Sequence, residues 1–346
     1  MKRDVERLLV VGLGSIGQRH ARLARALLPN VRIAALRHGP TQEAVAGIER
    51  NFSTMAEALA FAPQAAVVAN PANHHLGAAR ALVAAGVPTL IEKPLADRRD
   101  GVEQMLAVAK SKGVPVLTAY NLRFVPSLMH LREAVCEGLI GRVLSVRAEV
   151  GQYLPDWRPE MDYRQSVSAR RALGGGALLE LSHELDYLRW IFGEVDWVQA
   201  FTGRQSSLEI DVEDTVHLIM GFVSAGATPP PVATVTLDFV RRDTTRGCTV
   251  IGEQGTLRWN ALAGSVDELI AGGAWRERFK HPPQRDESYL AQWKHFIACA
   301  NRDESPLVTG DDGLAVLSVI EAVRIAAGNG SRTRVARSQT NPANQS

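Results

Sequence analysis

Near the N-terminus an apolar run through Val10 and Val11 meets Gly12-Leu13-Gly14-Ser15-Ile16-Gly17, and a helical pattern follows through Gln18-Arg19-His20. This strand, glycine turn and helix constrain the chain more than any other stretch. The layout belongs to parallel α/β sheets in which a backbone must come close to a pyrophosphate. Gly12 suits the tight turn, Gly14 leaves the main chain open to phosphate oxygens, and Gly17 lets the helix pack closely on the strand. Ser15 and Ile16 open the helix, where unused N–H groups and the positive end of the dipole favour an anion. The pattern predicts a dinucleotide site; the plainer alternative is a glycine-rich turn.

A second strand is expected at 31–36 and ends on Arg37-His38. NAD sites commonly carry an acid here, which accepts the ribose 2′-OH. Arg37, with His38 beside it, presents a cation that suits the 2′-phosphate of NADP. NADP is therefore the preferred cofactor and NAD the second choice; a solvated arginine at a strand end is the competing explanation.

Strands at 8–11, 31–36, 65–69, 89–91 and 115–118 alternate with helices at 16–28, 55–61, 76–85 and 101–112. That alternation predicts a doubly wound parallel sheet whose carboxyl-end loops line one crevice. After about residue 122 the period changes. A helix at 126–137 leads into alternating runs at 142–150, 195–202, 215–222, 232–240, 248–252, 255–259 and 265–270, and helices near 288–301 and 310–328 close the chain. Clustered period-two runs predict a largely antiparallel sheet. The expected fold class is α/β plus α+β, a Rossmann domain at 1–122 and a second domain at 123–336. The polar tail at 337–346 is expected to be flexible. The segment 228–231, after Gly226, reads as an exposed hairpin loop.

A length of 346 residues suits two domains, and a formal net charge of +2 is near balance. No basic block interleaved with aromatics appears, so nucleic acid is not an expected partner. No apolar run reaches membrane-span length and no secretory signal is visible. Cys136, Cys248 and Cys299 lie far apart and match no metal spacing. They read as reduced thiols in a cytoplasmic protein without a metal site.

Polar residues gather at strand ends: Asn70-Pro71-Ala72-Asn73-His74-His75 after 65–69, Glu92-Lys93-Pro94 after 89–91, and Tyr120-Asn121-Leu122-Arg123-Phe124 at the junction. In the second domain Gly174-Gly175-Gly176 precedes Glu180 and His183-Glu184-Leu185-Asp186. Together these motifs resemble the glucose–fructose oxidoreductase / inositol dehydrogenase / rhizopine-catabolism family of nicotinamide-dependent sugar oxidoreductases, over nearly the whole chain to about residue 335. The resemblance implies a Rossmann domain followed by a domain on an open antiparallel sheet, whose outer face makes a homodimer or homotetramer. It also implies that Lys93 faces substrate and nicotinamide, that His183 is the catalytic acid/base, and that Glu180 is its acidic partner. Many relatives carry the acid four residues before the histidine rather than three; either spacing keeps both on one helix face.

Oxidising an alcohol needs a base near neutral pKa for the hydroxyl proton, which suits histidine. It also needs a cation beside the oxygen that gains charge, which suits Lys93. Asn70, Pro71, His75, Glu92 and Asn121 are further cofactor-side candidates, and Arg123 either braces the junction or meets the substrate. His75 could equally be a packing residue. A long segment before the glycine triple holds Tyr153, Trp157, Arg158 and Tyr163. Aromatic and cationic side chains together suit a sugar, nucleotide-linked or carboxylated, better than a free polyol; an arm that packs an oligomer would look the same. The expected function is an NAD(P)-dependent oxidoreductase of a sugar, cyclitol or derivative. The competing function is a non-catalytic NAD(P) sensor or corepressor, which would need neither Lys93 nor His183.

Overall fold

Leu8, Leu9, Val10 and Val11 are 0–1% exposed, as expected of a strand covered on both faces of a parallel sheet. They form β1 (Arg7–Val11). The computed structural model describes residues 5–37, 45–224, 226 and 228–337. Cα packing divides the chain into two units, one built from residues up to 121 with 288–317, the other from 122–287 with 318–337.

In the first unit β1 is followed by α1 (Ser15–Leu27), β2 (Arg32–Leu36), β3 (Arg50–Phe52), α2 (Met55–Ala60), β4 (Ala65–Val68), α3 (His75–Ala84), β5 (Thr89–Ile91), α4 (Val102–Lys112) and β6 (Val116–Thr118). All pair in parallel, in the order β3-β2-β1-β4-β5-β6. This is the doubly wound order whose switch point lies between β1 and its β4 neighbour. The short β3 is an addition to the strands read from sequence. α2 is set by a reciprocal cap between Thr54 and Glu57.

The second unit contains α5 (Pro126–Cys136), β7 (Val143–Gly151), α6 (Ala177–Glu180), α7 (His183–Phe192), β8 (Val195–Gly203), β9 (Thr215–Phe222), β10 (Val232–Asp238), β11 (Thr245–Gly252), β12 (Gly255–Asn260), β13 (Ser265–Ile270) and β14 (Arg276–Lys280). The chain continues through α8 (Glu287–Ala300), α9 (Gly310–Asn329) and β15 (Thr333–Arg334). Nine strands make one sheet, ordered β14-β13-β12-β11-β7-β10-β9-β8-β15. Only the β7–β10 pair is parallel; every other pairing is antiparallel. The loop at 228–231 joins two antiparallel neighbours, β9 and β10.

Sequence order places 288–317 in the second domain, but it packs with the first unit. The reason is the apolar stripe of α8. Trp293, Phe296 and Cys299 are buried in the same core as Leu8, Val10, Leu23 and Ile33. A period-3.6 pattern shows that a helix has a buried face, not which sheet takes it. Among the described residues, no helix is long and apolar enough to cross a membrane.

The glycine turn after β1 is packed on two sides and open on the third. Gly12 has φ +88°, donates its N–H to Leu36 O at 2.9 Å, and a Cβ there would lie 2.6 Å from the Asn70 nitrogen. A Cβ on Gly17 would lie 2.0 Å from Gly12 O. A Cβ on Gly14 would meet nothing within 4 Å. Gly12 and Gly17 are therefore demanded by the fold itself, whereas Gly14 is not. Gly17→Ala should destabilise the protein by about 1–3 kcal/mol through overpacking, while Gly14→Ala should stay within about 0.5 kcal/mol of the parent. Thermal unfolding of the two variants checks this; equal losses would contradict it.

Candidate functional site

In the first unit the carboxyl ends of β1, β2, β4 and β5 gather the predicted cofactor residues. α1 starts at Ser15 with Gly14 as its cap, makes no side-chain cap bond, and has no acid in its first turn. Its leading N–H groups, at Ser15, Ile16 and Gly17, are thus directed at open space above Gly14, which fits an anion. Arg37 is half-buried, and its N–H binds Phe52 O at 3.0 Å. It follows Leu36, whose carbonyl accepts the Gly12 N–H, so its backbone adjoins the glycine turn. His38 lies outside the described residues.

Asn70 and Pro71 follow β4. Asn70 Oδ1 is buried with no hydrogen-bond partner among the described residues, an acceptor suited to a ribose hydroxyl. The glycine opening and this acceptor fit a dinucleotide. His75 is buried; Nδ1 lies 2.8 Å from Pro94 O and Nε2 lies 2.7 Å from Asn70 O. It joins the loop after β4 to the one after β5, so it is a clamp between two candidate loops. Burial pushes its proton affinity down, against the two carbonyls and Glu92, which pull it up. A neutral ring donates to only one of those carbonyls at a time.

Glu92 and Lys93 follow β5, and the Lys93–Pro94 bond is cis. Lys93 is half-buried. Glu92 is buried, and its role is set by two residues that the sequence reading missed. The Trp293 indole N–H donates to His20 Nδ1 at 2.9 Å. Indole is only a donor, so His20 Nδ1 is an acceptor and Nε2 carries the proton. Nε2 donates to Glu92 Oε1 at 2.7 Å. Glu92 Oε2 accepts the Lys93 N–H at 3.1 Å. Burial pushes the Glu92 carboxyl up, but the His20 bond and the Lys93 charge and N–H outweigh it and hold the carboxyl below its ordinary value. A histidine at the third residue after Gly17, one helical turn inward, was the available signal. Asn121 spends an amide N–H on Ser288 Oγ at 2.8 Å.

In the second unit the glycine triple leads into α6 and α7. Gly176 has φ +112°, and a Cβ there would lie 2.4 Å from Glu213 Oε1. Glu213 was also missed in the sequence: its Oε1 accepts the Leu178 N–H at 3.1 Å and its carbonyl accepts that of Ala177 at 3.1 Å. It therefore caps the start of α6. α6 ends at Glu180, and α7 begins at His183 after Leu181 and Ser182. The expected continuous helix face is thus replaced by a break. Leu181, with φ −101° and ψ 24°, leaves the helical region and resets the direction of the chain. His183 to Arg189 are all buried, so α7 is enclosed rather than amphipathic. Glu180 is half-buried.

Arg123 is 3% exposed and holds Asp186 with Nε at 3.0 Å and Nη2 at 2.6 Å. A fully engaged, buried guanidinium braces α7. Tyr153 carries the Arg242 guanidinium 3.6 Å above its ring. Trp157, Arg158 and Tyr163 line one cavity in the arm at 152–173. All three cysteines are free. Burial pushes the Cys248 thiol up to about 12 and the Cys299 thiol up to about 11, which removes both as nucleophiles. Among the described residues, no group of three His, Cys, Asp or Glu side chains is arranged for a metal ion.

Residues 7–120 match the oxidoreductase family with NAD-binding Rossmann fold, and residues 128–258 match the GFO/IDH/MocA C-terminal domain. Myo-inositol dehydrogenase Hyg17 of Streptomyces leeuwenhoekii is 32% identical over 84% of this chain and 87% of its own. The rhizopine catabolism protein MocA of Rhizobium meliloti is 26% identical over 91% of this chain and 93% of its own. Among solved structures, a levoglucosan dehydrogenase in complex with NADH aligns with TM-score 0.83 and 21% identity, covering 96% of this chain and 99% of that one. The WlbA dehydrogenase from Bordetella pertussis, in complex with NADH and UDP-GlcNAcA, aligns with TM-score 0.79 and 23% identity over 97% and 100%. The chain therefore belongs to the GFO/IDH/MocA family and is an NAD-dependent oxidoreductase.

Proposed function

We propose that this oxidoreductase interconverts a CH–OH group and a carbonyl on a sugar, cyclitol or sugar derivative. The molecules named for the relatives, inositol and levoglucosan as substrates and UDP-GlcNAcA as a bound ligand, share this polyhydroxylated character. The observation that supports the reading best lies in the first unit. An open glycine turn, an unpartnered buried amide oxygen and the Glu92-held Lys93 all stand at carboxyl ends of one parallel sheet. Nicotinamide, when bound, supplies the hydride acceptor or donor.

Lys93 would orient the substrate oxygen and stabilise the charge that gathers on it. His183 would take the hydroxyl proton in oxidation and return it in reduction. Glu180, three residues earlier and across the helix break, would tune His183. Asn70, Pro71, His75 and Asn121 would shape the cofactor pocket, and Trp157, Arg158 and Tyr163 would meet the substrate with Tyr153 in support. The free cysteines suit a reducing, cytoplasmic setting.

His183→Ala should cut turnover about 10²- to 10⁴-fold with unchanged cofactor affinity, and Lys93→Met should do the same. A panel of sugars, uronates and cyclitols, followed by reduced-nicotinamide absorbance, reads the outcome; parental turnover in either variant would remove that residue from the mechanism.

NADP is the favoured cofactor in this reading, because Arg37 follows β2, where NAD sites commonly carry an acid instead. Arg37→Ala should weaken NADP by about tenfold and leave NAD nearly unchanged. Titrations that weaken both equally would assign Arg37 to packing.

The open face of the nine-stranded sheet would carry the subunit contact. Phe201, Ile219 and Val232 share that face and are 47%, 40% and 39% exposed, an apolar patch suited to burial. Sedimentation should show a dimer or tetramer that Ile219→Asp dissociates; a parental monomer would refute the contact.

A further inference from the structure

The arm lines a small open cavity of about 20 Å³, bounded by Leu154, Trp157, Arg158, Tyr163, Ser166 and Ser168. Its aromatic wall is fixed. Trp157 donates its indole N–H to Gln152 O at 3.2 Å and meets the Phe239 ring edge-on at 5.2 Å. Tyr163 accepts the Glu209 N–H at 3.3 Å. Leu154 is buried.

The arm's arginines differ in what they hold. Arg164 bonds Asp162 at 2.8 Å and Glu209 at 2.9 Å. Arg170 bonds Arg164 O at 3.0 Å together with the Gln165 side chain. Arg171 bonds Asp211 O at 2.9 Å. The Arg158 guanidinium is exposed and has no protein hydrogen bond or ion pair among the described residues, although Asp156 and Glu160 flank it in the chain. It lines the cavity instead. A second group there is also unused: Ser166 Oγ is buried and has no partner among the described residues.

A guanidinium and a hydroxyl are both donors, so they call for an acceptor. A positive charge selects an anionic one, and a fork of parallel N–H groups matches a planar carboxylate. The interior, about 20 Å³, admits about one water-sized group, so it would take only the carboxylate end of a ligand whose body lies outside it. Its wall is also tied to the candidate catalytic segment. Ser168 lines the cavity, and its carbonyl accepts the N–H of Gly176, at the head of the α6–α7 pair that carries His183, at 3.1 Å.

We propose that this cavity seats a carboxylate carried by the substrate, read by the Arg158 guanidinium and the Ser166 hydroxyl. The proposal rests on the dehydrogenase reading above and narrows its substrate class to acidic sugars or cyclitols.

The test uses the full chain loaded with NAD⁺ or NADP⁺. Matched pairs, glucuronate with glucose and galacturonate with galactose, are compared by steady-state kinetics and by equilibrium binding, with glucose 6-phosphate as the phosphate arm. The parent should favour the acid of a pair, and Arg158→Met should lower the acid-to-neutral ratio of kcat/KM at least tenfold, mainly through KM. Arg158→Lys should recover part of the ratio, and Ser166→Ala should lower it less. An unchanged ratio in Arg158→Met, no arginine-dependent binding of either uronate, or tighter arginine-dependent binding of the phosphate would each overturn the proposal. Arginine-dependent uronate binding without turnover would keep the subsite and count against the proposed CH–OH reaction on these sugars instead.

Discussion

One buried carboxylate organises the first unit. Glu92 lies where a parallel strand ends, and leaving a charge there without partners would cost several kcal/mol. Its neighbours meet that cost from three directions. α1 supplies His20, α8 supplies the Trp293 that fixes the His20 tautomer, and the backbone of Lys93 supplies an N–H. The lysine proposed to face the substrate is therefore chained to the glycine turn and to a helix from the far end of the sequence. A carboxylate with satisfied donors holds its charge and its geometry; the same group with one donor removed would do neither.

Glycine serves opposite purposes in the two units. After β1, the position without a Cβ that matters to a ligand, Gly14, is surrounded by open space. In the triple before α6, Gly175 and Gly176 face occupied space. A Cβ on Gly175 would lie 2.3 Å from Val167 O, and one on Gly176 would strike the Glu213 carboxylate. The first arrangement leaves room for a molecule to come and go. The second fills that room permanently with the chain's own backbone and side chains.

Much of this was legible in the residues. The strand–glycine–helix run fixed the first sheet and its crevice, because each glycine answers a separate steric demand. Period-two runs fixed the second sheet. Three things were hidden for physical reasons. The destination of α8 was hidden because an apolar stripe does not name its partner surface. The break between Glu180 and His183 was hidden because Leu181 and Ser182 carry no strong stop signal; the reset comes from tertiary packing around an enclosed helix. The engagement of Arg123 was hidden because a bidentate pair with Asp186 joins residues 63 apart in sequence. His20 was visible as a residue but not as a donor, since that requires knowing what stands on its other nitrogen.

The seam between the arm and the glycine triple has a consequence for how such a protein can be altered. The carbonyls of Val167 and Ser168 occupy the volumes that side chains at 175 would need, and Arg170 O and Ser168 O accept the N–H groups of Gly175 and Gly176. Residues 167–176 thus form a splice that tolerates no bulk, whereas the arm before it is a string of short 3-10 turns at 154–157 and 163–165. Grafts of arms from relatives would have to be cut upstream of residue 167 to leave the approach to His183 undisturbed.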